Sequence, residues 1–382
     1  MSKLKLLEHQ LKLGKDAIQQ QSSNRYHHQL VLTTKGKVYS WGNNIYGQCG
    51  LGHKKENVEN PTRISHFEKL LEKDEHIIQI CSSYFFSLAL SNQSNIFCWG
   101  RKNHLQYGKE SDIEDIVYPM KKTFFLGQHS SVAMIDAGRV HFIALTLNGH
   151  VYEYKNIGQE VSPNLIEFKL LKDTEVIVQV SAGETHYLAL SNLGNVYSWG
   201  ANRMGQCGNA PMLSYKDIAT VITFDHCLSK NEQITHIQAD HKYSLALSNK
   251  SQIYGWGFYI TSIVRSKTPK RVVFPLHFLC FEHFYEHATI LMNNENVDIQ
   301  DNMGRTVLIL AISLGLLDFV QLCLDNDASL ECKTFEGHTA LSTAFTFKKY
   351  PIALVLLRHH SSIKSLHILI NSQSLLHILI SG

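Results

Sequence analysis

None of the eight cysteines in the 382-residue sequence forms a Cys-x-x-Cys pair, so neither a zinc knuckle nor a disulfide framework is signalled. Cys49 and Cys207 instead recur in one slot, as Gly-Gln-Cys-Gly each time, which suits a small apolar packing residue and a free thiol. Also missing are the Gly-x-x-x-x-Gly-Lys-Ser/Thr phosphate loop, the Gly-x-Ser-x-Gly elbow, His-Glu-x-x-His and the dinucleotide glycine fingerprint. The chain therefore reads as non-catalytic, with no cofactor and no metal. Acids stop at Glu336, while Lys348, Lys349, Arg358 and Lys364 follow, so the C-terminal part is basic. Near the N-terminus Lys3, Lys5, Lys12, Lys15, Arg25, Lys35 and Lys37 face only Glu8 and Asp16. No dense Lys/Arg stripe exists, which argues against specific nucleic-acid binding.

Long uninterrupted apolar runs are lacking as well. The longest stretch, Val307 to Leu324, is broken by Gly315 and Asp318 and reads as two helices instead of a membrane span. No apolar core follows the N-terminal bases, so a secretory signal is not indicated. Leu4, Leu7 and Leu11 recur at helical spacing and predict an amphipathic helix over 1–16 that packs on the rest of the chain; its bases leave weak membrane-surface contact as the other reading.

What the sequence does have is self-similarity. The run from His186 through Trp199 and Gly200 returns from His28 to Gly42, from Phe86 to Gly100, from His141 to Tyr154 and from Tyr243 to Gly257. The aromatic anchors Trp41, Trp99, Tyr154, Trp199 and Trp256 are 45 to 58 residues apart. Within each copy two alternating apolar runs flank a turn, with Gly36, Gly149 and Gly194 at three of the turns, which predicts a β-hairpin. An apolar run precedes each hairpin (Ile77 to Cys81, Val176 to Ala182, Ile234 to Ala239), and a run often opened by proline follows it (Pro61 to Ile64, Pro269 to Phe274). Four strands per copy result. A degraded sixth copy spans Cys280 to Asn293, through His287, Ile290 and Leu291, without the Trp-Gly. His28, His141, His186 and His287 share one slot, and repetition assigns them to hydrogen bonds inside each copy instead of to a metal.

The Tyr-Ser-Trp-Gly-x-Asn-x-x-Gly-Gln-x-Gly runs at Tyr39 to Gly50 and Tyr197 to Gly208 resemble the repeat of the regulator-of-chromosome-condensation family. That resemblance implies a mainly β fold, a β-propeller of five full blades plus a degraded sixth over 17–297. Seven blades are usual in the family, so this count is a departure. The resemblance also implies protein partners, in the first place a small GTPase of the Ras superfamily, because founding members act as guanine-nucleotide exchange factors. No exchange residue can be carried over.

From Asp298 the pattern turns helical, and a second period appears. Gly304 and Gly337, Thr306 and Thr339, Ala311 and Ala344, and Leu324 and Leu357 are each 33 residues apart. This resembles two ankyrin repeats over 298–382, with Ser374 to His377 opening a truncated third, and with Val307, Ala340, Ile309 and Ser342 replacing the family's proline and histidine positions. Repeats of this kind bury their apolar faces only by stacking. Their tips are expected to project Asn302, Met303 and Arg305 from one unit and Phe335, Glu336 and His338 from the next, a partner-binding row of hot-spot composition. The chain is thus read as an intracellular scaffold of cytoplasm or nucleus, with a GTPase partner. The alternative is a pure adaptor for two clients or, given its Lys-, Asn- and Ile-rich character, a bacterial effector delivered into a host cell.

Overall fold

In the computed structural model the structure describes residues 16–23, 28–102, 115–122, 131–155, 163–169, 172–209, 215–224, 227–258, 265–272, 280, 296–301 and 303–359. The chain divides into two units, one within 8–273 and one within 274–382 together with 1–7. The first unit holds five four-stranded antiparallel meanders, each in simple sequence order. They are β1 (Ile18–Ser23), β2 (His28–Thr33), β3 (Val38–Asn44) and β4 (Lys55–Arg63); then, after the short helix α1 (Phe67–Leu70), β5 (Ile77–Ser82), β6 (Phe86–Ser91), β7 (Ile96–Gly100) and β8 (Ile116–Lys122). The third comprises β9 (Val132–Ala137), β10 (His141–Thr146), β11 (Val151–Lys155) and β12 (Asn164–Ile166). The fourth comprises β13 (Ile177–Ala182), β14 (His186–Ser191), β15 (Val196–Ala201) and β16 (Tyr215–Val221). The fifth comprises β17 (Ile234–Asp240), β18 (Tyr243–Ser248), β19 (Ile253–Phe258) and β20 (Arg265–Arg271).

The second strands explain why these sequences do not alternate in burial. All six residues of β6, β10, β14 and β18 are buried, and for β6, β10 and β14 this is expected because both faces of their sheets pack on neighbouring blades. Apolar clusters accordingly lie between successive sheets. Gly36, Gly149 and Gly194 turn the hairpins at φ 71°, 80° and 82°, and in the other two sheets Ser94 and Ser251 take the same left-handed conformation. The prolines sit inside the outermost strands, Pro61 in β4 and Pro269 in β20, instead of opening them. An edge strand tolerates this because its outer N–H has no ladder partner to lose.

In four of the five sheets an acid two residues ahead of the isoleucine that opens the first strand ties down the hairpin, at Asp16, Glu75, Glu175 and Glu232. Asp16 accepts from Thr34 Oγ1 and Lys35 N–H; Glu75 accepts from Ser91 and Asn95. Glu175 accepts from Asn195 and Tyr197, and Glu232 from Ser248 and Tyr254. Burial pushes the Glu232 carboxyl upward, but the hydrogen bonds from Ser248, Ser229 and Tyr254 outweigh it and hold the group down at about 2.

In the second unit the run 307–324 is two helices, α2 (Val307–Leu314) and α3 (Leu317–Asp325), parted at Gly315 with φ 80°. A second pair follows, α4 (Ala340–Thr346) and α5 (Tyr350–His359). Thr306 and Thr339, one period apart, are both N-caps, and Ser342 completes a capping box with Thr339. Among the described residues no helix is long and apolar enough to cross a membrane. The helix expected over 1–16 and the third ankyrin copy lie outside the described residues, except for Asp16. So does the expected sixth blade copy except for Cys280, which is buried close to Cys323 and Arg305 of the helical unit, not in a sheet.

The anchors are not equivalent. Trp99, Trp199 and Trp256 are wholly buried and Tyr154 likewise, whereas Trp41 is only half-buried. Trp256→Ala should therefore lower the unfolding free energy by about 3–5 kcal/mol through cavity formation, and Trp41→Ala by distinctly less. Equilibrium urea denaturation of the two variants checks the difference, and equal losses would contradict the burial argument.

Candidate functional site

In the second to fifth sheets the turn between the first and second strands opens at one end of the propeller, and equivalent turn positions hold Tyr84, Arg139, Glu184 and His241. These four side chains meet although they come from four sheets. Tyr84 Oη lies 2.6 Å from His241 Nε2, His241 Nδ1 lies 3.3 Å from Glu184 Oε2, and Arg139 Nη1 donates to Glu184 Oε1 at 2.9 Å. The Arg139 guanidinium also stands over the Tyr84 ring at 5.4 Å. Backbone bonds set this geometry: Glu184 N–H donates to His241 O and Arg139 N–H to Glu184 O. Beside them Arg101 is held over Tyr46 (4.7 Å) and Phe85 (5.3 Å), whose rings meet edge to face. The result is a continuous Tyr, Phe, Arg and His surface on one end of the unit, the composition of a protein-docking patch. Among the described residues no group of three or more His, Cys, Asp or Glu could hold a metal ion.

The signature residues make the joints that hold this end rigid. In the first joint the Gln48 carbonyl accepts from both Ser87 Oγ (2.8 Å) and Trp99 Nε1 (2.8 Å) of the next sheet. The Gln206 carbonyl does the same for Ser244 Oγ and Trp256 Nε1 in the fourth joint. With the serine proton given to the carbonyl, the histidine Nε2–H must donate to the serine: His28 to Ser87 at 2.6 Å and His186 to Ser244 at 2.8 Å. The expected bonds inside one copy are thus corrected for these two histidines: they run between successive sheets, because the second strand of one sheet packs directly on that of the next. Asn44 and Asn202 receive the Cys49 and Cys207 N–H groups, and Ser40 and Ser198 donate to the same cysteines' carbonyls. The closing glycines are obligatory: a Cβ on Gly50 or Gly208 would stand 2.8 or 2.7 Å from the indole nitrogen of Trp99 or Trp256. Burial pushes both the Cys49 and the Cys207 thiol up to about 12, so these are packing residues.

Where the preceding copy lacks a complete Gly-Gln-x-Gly, an aromatic replaces the serine. Phe142 stacks on Tyr154 at 4.3 Å and Tyr187 on Trp199 at 5.0 Å. His141 packs against Tyr187 of the next sheet. His287 lies outside the described residues. A second set of joints was not read from the sequence. The side-chain amides of Gln20, Gln79 and Gln179 each clamp both the N–H and the C=O of one residue in the next sheet, Ile80, Ile135 and Ile237. The third joint has Met134 in that slot, and Asp136 bonds Ser181 and Ala182 there instead. Burial raises the Asp136 carboxyl to about 6. A glutamine three residues before the end of a first strand was the available signal.

At the ankyrin tips Met303 is 57% and Phe335 76% exposed, and Glu336 is exposed with His338 3.8 Å from it. Arg305 does not project as expected, since Asp301 accepts from its guanidinium at 2.7 and 2.9 Å and from its backbone N–H at 2.9 Å. A turn that must leave Gly304 at φ 73° gains from such a brace. Asn302 lies outside the described residues.

Comparison with known proteins agrees with both periods. The regulator of chromosome condensation (RCC1) repeat matches at residues 35–90 and again at 177–206, and ankyrin repeats match at 276–367, a span that takes in the segment read as a sixth blade copy. The chain is therefore a repeat protein of the protein-interaction class. In particular, it carries RCC1 repeats followed by ankyrin repeats. It is 29% identical to the human E3 ubiquitin-protein ligase HERC2 over 60% of this chain but 5% of that protein, and 28% identical to the ultraviolet-B receptor UVR8 of Arabidopsis thaliana over 60% of this chain and 51% of UVR8. The chain thus spans about half of one relative and a small part of the other. Among solved structures, human WBSCR16 (TM-score 0.57, 22% identity, 68% of each chain) and Prp20p of Saccharomyces cerevisiae (TM-score 0.53, 21% identity, 67% of this chain and 63% of that one) share the fold.

Burial drives the His186 imidazole down to about 3, so the folded state holds it neutral. An unfolded histidine takes a proton near pH 6.5, hence stability from this group is complete above that pH and is lost as pH falls toward 3. His186→Gln lacks this loss. The stability advantage of the natural chain over the variant should shrink by about 2 kcal/mol between pH 7 and pH 5, as measured by urea unfolding at each pH; a constant gap would show that His186 takes up its proton as readily in the fold as in the unfolded chain.

Proposed function

We propose that this protein is a non-catalytic scaffold that grips a small Ras-superfamily GTPase through the propeller end bearing Tyr46, Phe85, Arg101, Tyr84 and Arg139. The observation that carries the reading is the joining of aromatic and arginine side chains from several blades into one half-exposed patch, which no single blade could present. Prp20p, which shares the fold, has described binding properties to Gsp1p and histones, and this supports a GTPase as first partner. Such a scaffold accelerates nucleotide release if its grip favours the nucleotide-free partner over the loaded one. Nucleotide-release and binding assays against a panel of small GTPases test the reading. Phe85→Ala with Arg101→Ala is expected to weaken the responding GTPase at least about tenfold with an unchanged melting temperature. No binding and no acceleration across the panel would refute it.

The second reading is an adaptor whose ankyrin tips hold a separate client, favoured by the exposure of Met303 and Phe335 side by side, where Phe335 N–H donates to Met303 O. Because Arg305 braces its own turn, Met303→Ala with Phe335→Ala is the informative pair. Retained melting with lost client capture is expected, and early melting would make these residues part of the unit's packing.

A further inference from the structure

A buried acid occupies the third joint, where the other three are clamped by a neutral amide. Gln20, Gln79 and Gln179 pin their joints with side chains that do not titrate. In the third joint Asp136 does so with a carboxyl group. Its Oδ2 accepts from Ser181 Oγ at 3.0 Å and from Ala182 N–H at 2.8 Å, and its Oδ1 accepts from Ala137 N–H at 2.8 Å. Ser181 Oγ in turn accepts from Ala239 N–H at 2.9 Å, so one carboxyl ties together the third, fourth and fifth sheets.

The surroundings of this group are poor in positive charge. Every hydrogen bond to the Asp136 carboxyl among the described residues comes from a neutral donor. The strands packed against β9 are β5, β6, β10 and β13, and their titratable side chains are Cys81 and His141. The turns beyond them bring Tyr84, Arg139, Glu184 and His241, with the Arg139 guanidinium already engaged by Glu184. Burial raises the Asp136 carboxyl to about 6 against the lowering effect of its three hydrogen bonds, and the like charge of Asp240 in the fifth sheet adds to the rise. A proton can be added without breaking any of the three bonds. Oδ2 already accepts two, whereas Oδ1 accepts one and keeps a lone pair for the proton. The neutral carboxyl therefore retains its ties and sheds an uncompensated buried charge.

Asp136 and Asp240 also sit at the roots of two turns that build the cluster at the propeller end. Arg139 follows Asp136 by three residues, and Asp240 accepts from His241 N–H at 2.6 Å. We propose that Asp136 is a proton-operated latch of the third joint: its neutral carboxyl holds the third, fourth and fifth sheets together, and its ionised carboxyl lets that joint open and releases Arg139 from Glu184. Opening returns the group to water, where a carboxyl ordinarily titrates near about 4. The closed joint takes up its proton more readily than the open one, so closure is favoured as pH falls through about 6 and weakened as pH rises through it. The latch concerns order among the sheets and needs no partner, so it stands or falls separately from the GTPase reading.

Hydrogen exchange of the full chain, corrected for the intrinsic rate at each pH, tests the latch at Ala182 and Ala239, with Ile80 as the control because its N–H donates to Gln20 in the first joint. Asp136→Asn is the reference chain, since His141 and His186 contribute equally to both chains and cancel. The protection of the natural chain relative to the variant should rise about tenfold at Ala182 and Ala239 between pH 7 and pH 5 and stay constant at Ile80. A constant ratio at Ala182 overturns the latch, as does an equal rise at Ile80, which would make the opening global. If Asp136→Asn does not fold, the natural chain decides alone. A side-chain carboxyl ¹³C resonance of Asp136 with its midpoint above about 5, together with faster exchange at Ala182 than at Ile80 at pH 7, supports the latch, and failure of either overturns it.

Discussion

In the first and fourth joints of the propeller unit one backbone carbonyl organises the interface between two sheets. The Gln48 and Gln206 carbonyls each take two hydrogen bonds from the next sheet, one from a serine and one from an indole, deep in an apolar interface. A buried amide oxygen left unpaired costs far more than the bond itself contributes in net terms, so a joint that buries this carbonyl needs residues that supply both donors. The consequences radiate outward. The glutamine side chain folds back onto Tyr46 or Met204 N–H to fix the turn, the cysteine must be small, and the last glycine must lack a Cβ so that the indole can approach.

Because these joints and the glutamine clamps fix successive first strands against one another, the turns at their ends are held in register. That is why Tyr84 and His241, 157 residues apart in sequence, come within hydrogen-bond distance. A docking patch on loops is ordinarily costly to order on binding. The patch proposed above is held by the sheets themselves, with Arg139 positioned by Glu184 and Tyr84. The same clamps explain the tolerance of Met134 in the third joint: Asp136 reaches Ser181 and Ala182 from the neighbouring position and replaces the lost amide.

In the helical unit, local capping and long-range stacking are divided differently. Thr306 and Thr339 start the first helix of each pair by accepting an N–H three residues on, while Gln300 ties one tip to the next by donating to both Gly304 O and Lys333 O. Substituting Val307 and Ala340 where ankyrin repeats usually place proline leaves these starts intact, since the N-cap threonine supplies the acceptor. Arg305 is drawn inward by Asp301, and the exposed part of the tips reduces to apolar Met303 and Phe335 with Glu336.

The two repeat periods, the hairpins, the positive-φ glycines and the buried cysteines were all legible in the sequence, because each depends on residues a few positions apart and is stated several times over. Asp16, Glu75, Glu175 and Glu232 were legible in principle, at a constant offset from an isoleucine, but an acid before a strand is ordinarily solvent-facing and only the hairpin overhead shows it buried. What the tertiary structure alone decided is which repeated residue serves which neighbour. His28 and His186 look identical to a residue bonded inside its own blade, and Trp41 looks identical to Trp99 in the signature. Their different fates come from the adjoining sheet, which brings Ser87, Ser244 or a glycine turn to within about 3 Å of them or fails to. Periodicity in a sequence specifies the unit; the partner across the joint depends on three-dimensional order, which repeats written one after another do not record.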